Sequence, residues 1–169
     1  MTPFSRVTAR DVMRTDLVTL SPDDTIEDAV ASLSDAGISG APVMRADGRL
    51  IGALTLTDIA QPGHTDRDRI HTQPGEEVRV VTTSVEADEF EEEEELASKE
   101  DYSPEVLGET LVSEWMSNAV VAVSPDASLR TVCRSLVDGG VHRAFVTDRG
   151  KLVGVVSAMD IIRLFAERH

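Results

Sequence analysis

One unit occurs twice in this 169-residue chain. The stretch MRTDLVTLSPDDTIEDAVASLSDAGISGAPVMRADGRLIGALTLTDI returns as MSNAVVAVSPDASLRTVCRSLVDGGVHRAFVTDRGKLVGVVSAMDI. Met13 matches Met116, and Ser21, Pro22 and Asp23 match Ser124, Pro125 and Asp126. Leu33, Gly37, Gly52 and Asp58 match Leu136, Gly140, Gly154 and Asp160, and the copies differ by one residue in the loop before Gly48 and Gly150. A repeat of ~50 residues buries too little apolar surface to be secure alone. The two copies are therefore expected to pack on each other about a pseudo-two-fold axis, as one module.

Each copy reads as strand, helix, strand, strand, helix, so the fold class is α/β. Residues 17–20 and 120–123 are short β-favouring runs, and each ends at a Ser-Pro-Asp whose proline cannot extend a ladder. Ile26, Ala29, Val30 and Leu33 recur at helical spacing, as do Leu129, Val132, Cys133 and Leu136. Gly37 and Gly140 are placed to stop these helices. Residues 41–44 and 50–55 flank Asp47-Gly48, and 144–147 and 152–157 flank Arg149-Gly150, which predicts two hairpins. The final helix of the second copy continues through Ala158, Ile161, Ile162 and Phe165, whereas Pro62-Gly63 cuts the first copy's short.

The organisation is a first repeat over 7–60, an insertion over 61–110 and a second repeat over 111–166. Charge sets the insertion apart. The chain carries 16 basic and 31 acidic residues, a net charge of -15, and 16 of those acidic residues fall within 61–110. Its run of glutamates at 91–95 reads as a solvated face or disorder, and residues 78–82 could add an edge strand. A negative balance repels phosphate backbones and anionic lipid, and aromatics at 4% leave few stacking platforms, so neither nucleic acid nor membrane is expected as a partner. A single cysteine, Cys133, excludes an internal disulfide, and no apolar run approaches the ~20 residues that span a bilayer. The expected setting is the cytoplasm.

The recurrent polar signal is Gly52-x-x-Thr55-x-x-Asp58, matched by Gly154-x-x-Ser157-x-x-Asp160, where the last strand enters the last helix. A hydroxyl followed three residues later by a carboxylate caps a helix start. The same groups can accept hydrogen bonds from ribose hydroxyls beside N–H groups that attract an anion. Spacing alone leaves both readings open, and capping is the commoner. His142-Arg143 precedes the second hairpin and suits phosphate, or is simply a surface pair; the first copy has Ser39-Gly40 there. His64, Asp66, Asp68 and His71 are metal-type side chains in a broken loop, Cys133 lies on an apolar stripe, and Trp115, Met13 and Met116 read as packing residues. No metal site is assigned. No catalytic constellation is evident, so no enzyme is expected.

The duplicated unit with DVM, a strand ending in SPD, an amphipathic helix, GAPV or HRAFV, and a final GxxTxxD or GxxSxxD resembles a tandem pair of CBS domains, a Bateman module. The resemblance covers roughly 7–60 and 111–166 and leaves the acidic insertion unexplained. It implies a pseudo-symmetric α/β module with two clefts between the copies, assembling as a homodimer. It also implies a regulatory module that binds an adenosine-containing ligand, AMP, ADP, ATP or S-adenosylmethionine, with or without magnesium, and signals to an effector protein on another chain. By resemblance Thr55, Asp58, Ser157 and Asp160 would hold ribose and nearby phosphate, His142 and Arg143 would face phosphate, and Val18, Ala41, Val121 and Ala144 would border the base. The alternatives are a ligand-free scaffold docking through its Glu-rich insertion and a divalent-metal responder.

Overall fold

The structure, a computed structural model, describes residues 6–60 and 103–167. Pro62-Gly63, His64, Asp66, Asp68, His71, the stretch 78–82 and the glutamates 91–95 lie outside the described residues.

The elements run α1 (Ala9–Val12), α2 (Ile26–Ala36), β1 (Gly40–Met44), β2 (Leu50–Thr55), α3 (Leu56–Ala60), α4 (Pro104–Glu109), α5 (Val112–Trp115), β3 (Ala122–Val123), α6 (Leu129–Asp138), β4 (Arg143–Asp148), β5 (Lys151–Ser157) and α7 (Ala158–Glu167). The two long repeat helices form for the same local reasons. Thr25 Oγ1 accepts from Asp28 N at the start of α2, and Ser128 Oγ accepts from Thr131 N at the start of α6. Ile26, Ala29 and Leu33 of α2 and Leu129, Val132 and Leu136 of α6 are buried. At the far ends Ile38 N donates to Leu33 O and Val141 N to Leu136 O, both at 3.0 Å. Gly37 and Gly140 supply the left-handed turn that this closure needs, at φ 62° and 59°.

The β1–β2 and β4–β5 hairpins are antiparallel, and each has a register shift at one place, after Val43 and after its counterpart Val146. Their turns differ by the single lost residue. The first has Gly48 at φ 84° with Gly48 N donating to Arg45 O and Arg45 N to Arg49 O; the second is a two-residue turn with Arg149 at φ 51° and Gly150 at φ 79°.

The first strand of each copy departs from expectation. In the second copy it shrinks to β3, parallel to β4, and in the first copy only an isolated bridge remains, Leu20 to Val43. Pro42 explains the difference. Its counterpart Phe145 donates its N–H to Val121 O at 2.8 Å, a bond that proline cannot make to Val18.

The pseudo-two-fold shows in paired backbone contacts. Leu50 N donates to Gly150 O, and Leu152 N to Gly48 O, so the hairpin tips bind across the axis. Leu50, Val120 and Phe145 form an apolar cluster between the copies. The short segments that open each repeat are exchanged: Val7 and Ala9 are buried with the second copy's α6, β4, β5 and α7, while Val112 is buried with the first copy's α2, β1 and β2. Arg14 pairs with Val155 and Ser117 with Ala53. Residues 103–110, within the sequence-defined insertion, include α4, which packs on α2 and brings Leu107 against the first copy's core.

Candidate functional site

Thr55 ends β2 and Ser157 ends β5, so each hydroxyl stands at a helix start. Thr55 N and Oγ1 donate to Asp58 Oδ2 at 2.7 and 2.6 Å, and Asp58 N donates to Thr55 Oγ1 at 3.2 Å. Ser157 N and Oγ donate to Asp160 Oδ2 at 2.9 and 2.6 Å, and Asp160 N to Ser157 Oγ at 3.2 Å. Both predicted pairs are therefore brought together, and both act as caps. One oxygen of each carboxylate is committed within its own box.

The other oxygen of Asp160 meets Arg14, whose Nε donates to Oδ1 at 2.8 Å, with Arg163 Nη1 3.5 Å away. Burial by itself would push the Asp160 carboxyl up, but the hydrogen bonds from Ser157, and the bond and charge of Arg14, together hold it below the usual carboxylate range. Arg14 was not among the residues singled out from sequence. It stands next to Met13 in the exchanged segment, and nothing local in the sequence says that this segment crosses to the other copy.

His142 is exposed, and its carbonyl accepts from Ala158 N at 2.9 Å. Arg143 is half-buried and crosses between the copies: Nη1 donates to Gly40 O at 2.7 Å and Nη2 to Ser39 Oγ at 3.0 Å. These partners occupy the first copy's own His-Arg positions. The choice of residues is coupled to the neighbouring strand. A Cβ on Gly40 would lie 2.9 Å from the Thr55 methyl, whereas Arg143 faces Ser157, which has none.

The four base-side residues separate. Ala41, Val121 and Ala144 are buried within the apolar clusters and turn their side chains into the core, while Val18 is 40% exposed. Chemically the two junctions offer carboxylate acceptors, hydroxyls and arginine donors, a set suited to a polyol bearing an anionic group. Among the described residues no group of three or more His, Cys, Asp and Glu side chains is placed to hold a metal ion, and no helix is long and apolar enough to cross a membrane.

A CBS domain family model matches residues 9–61 and 112–167. The uncharacterized protein MJ1426 of Methanocaldococcus jannaschii is 28% identical over 158 residues, which span 90% of this chain and 88% of that protein. The solved structure of CBSX2 in complex with AMP has a TM-score of 0.64 at 20% identity, over 95% of this chain and 96% of that one. The CBS domain pair of protein MJ0100, in complex with 5-methylthioadenosine and S-adenosyl-L-methionine, has a TM-score of 0.63 at 18% identity, over 96% and 98%. At those identities the two structures establish a shared fold.

Proposed function

This chain belongs to the CBS-domain family, and on that premise we propose that it is a regulatory module that binds an adenosine-containing nucleotide at the junctions between its repeats and passes the bound state to a partner protein. The observation that carries the reading is the duplicated geometry. Thr55 with Asp58 and Ser157 with Asp160 present the same hydroxyl and carboxylate pair twice, each where a strand meets a helix and each beside a segment from the other half of the chain. The AMP complex of CBSX2 and the S-adenosyl-L-methionine complex of the MJ0100 pair support adenosine compounds as the ligand class.

In this reading Asp58 and Asp160 accept from ribose hydroxyls, Thr55 and Ser157 position them, and His142 and Arg143 face phosphate, with magnesium bound alongside phosphate where the ligand is a di- or triphosphate. The base lies along Val18, against the segments that carry Ala41, Val121 and Ala144. Ligand control follows from different affinity for two arrangements of the repeats. The exposed apolar residues Met159, Ile162 and Phe165 of α7, with Leu56 of α3, form the face through which two copies of the chain associate in the cytoplasm as a homodimer. No catalytic step is assigned to the module. Docking through the Glu-rich stretch, or a metal response through His64 and His71, would rest on residues outside those the structure describes.

The test is thermal stability of the purified protein against AMP, ADP, ATP, S-adenosylmethionine, NAD and GTP, with and without magnesium, beside Asp160→Ala. A ligand at 100 times its Kd adds about 2.7 kcal/mol. Stabilisation by an adenosine compound that the variant loses supports the reading. No shift with any of them at millimolar concentration rejects it.

A further inference from the structure

The two capping boxes match, but among the described residues the segments that border them carry different side chains. At Asp160, Arg14 Nε donates to Oδ1 at 2.8 Å, and the Arg14 side chain is 57% exposed while that of Asp160 is 9% exposed. Among the described residues this is the only side-chain bond of Arg14, so its two Nη groups keep the donor fork. The counterpart of Arg14 beside the first box is Ser117, a neutral residue whose hydroxyl donates to Ala119 O and accepts from Ala119 N. Arg143 also reaches toward the first box, where each of its Nη groups already spends one N–H, on Gly40 O and on Ser39 Oγ, so that its fork is held by the backbone segment rather than by the Asp58 carboxylate.

A second difference lies four residues beyond Arg14. Val18 is 40% exposed, and Pro42 offers no N–H that could bond its carbonyl. Its counterpart Val121 is 6% exposed and is held by the bond from Phe145 N. It packs so closely on Gly139 that a Cβ there would lie 2.8 Å from Val121 Cγ2.

We propose that the two junctions are unequal, that ligand occupies the one bordered by Arg14, Val18, Ser157 and Asp160, and that Arg14 makes it select a nucleoside 5′-phosphate over the bare nucleoside. This rests on the nucleotide reading above and adds to it the occupied junction and the residue that reads charge. The bond to Asp160 orients the guanidinium, and a phosphate beside the ribose meets the exposed Nη pair, a planar fork that matches its oxygens. The Asp58 junction has serine in that place and a packed valine where the base would lie.

Calorimetric titration of the whole chain with AMP and with adenosine, at low and high salt, tests this on wild type, Arg14→Gln and Arg14→Lys, with urea midpoints confirming that each variant is folded. The expected result is one site per chain and AMP about tenfold tighter than adenosine, a preference that salt weakens. Arg14→Gln then narrows the preference to about twofold while adenosine affinity stays, and Arg14→Lys keeps part of it. An unchanged preference in Arg14→Gln overturns the proposal and leaves the nucleotide reading standing. An equal loss of AMP and adenosine affinity also overturns it, since Arg14 would then only fasten the segment. Two equivalent sites per chain overturn the inequality of the junctions. Failure of both compounds to bind wild type overturns this inference, while the nucleotide reading is rejected only if the wider panel of adenosine compounds also fails to stabilise the protein.

Discussion

Arg143 donates to the carbonyl oxygen of Gly40, the residue that holds its own place in the other repeat, at 2.7 Å. A charged donor thus ties together two strand starts that symmetry makes equivalent, and Ser39 Oγ completes the contact. Truncation by Arg143→Ala leaves the Gly40 carbonyl short of a partner, and a half-buried charge-assisted bond of this kind is worth about 1–2 kcal/mol. The urea midpoint should fall with an unchanged m value. Ser39→Ala should cost less, and the double variant should show that the two losses overlap. Full additivity would mean that the contact contributes nothing as a unit.

Acid sensitivity follows from Asp160. Its carboxyl titrates below the usual 3.8 in the folded chain. A folded value below the unfolded one gives stability that is fully present above the unfolded value and is lost as pH falls through the folded one. Arg14 supplies part of that depression, so Arg14→Gln should raise the folded value. The stability gap between wild type and Arg14→Gln should therefore hold at neutral pH and close as pH drops below 3.8. Urea midpoints across the acid range read this directly, and a gap that widens on acidification would contradict the assignment.

Much of this architecture is written locally. The stripes of α2 and α6, the glycines that end them, the two hairpins and both capping boxes each depend on residues within a few positions of one another. The repeat itself then dictates the two-fold. The rest depends on partners far along the chain. α1 and α5 have four residues each, too short for a periodic pattern to say which core they join, and each joins the other copy's. Arg14 and its contact with Asp160 follow from that exchange. The loss of the strand at residues 17–20 did have a local cause in Pro42, but its effect falls on a neighbour more than twenty residues away.

The exchanged segments also fix two glycines. A Cβ at Gly52 would lie 2.6 Å from Ser117 O, a backbone atom locked by its pair with Ala53; at Gly154 the nearest atom is Met13 Sδ, at 2.5 Å, on a flexible side chain. Gly52→Ala should therefore destabilise more than Gly154→Ala, within the 1–3 kcal/mol typical of overpacking. Met13→Ala should partly rescue Gly154→Ala, while the Arg14 carbonyl 3.0 Å from the new Cβ limits the rescue. Thermal or urea unfolding of the three variants decides the order.

Pro42 governs how far Val18 stands open. Pro42→Ala restores an N–H on the side of β1 that faces residues 17–20, where Phe145 in the other copy already donates to Val121 O. A new bond should form to Val18 O and draw that segment into the sheet. Global stability should change little, because an added hydrogen bond of about 1 kcal/mol is offset by the about 0.4–1 kcal/mol that proline gains through the unfolded chain. The informative measurement is therefore local. The amide at position 42 should exchange slowly with solvent hydrogen, and AMP affinity should fall as Val18 becomes covered like Val121. Rapid exchange at position 42 would mean that something other than the missing donor holds the segment away.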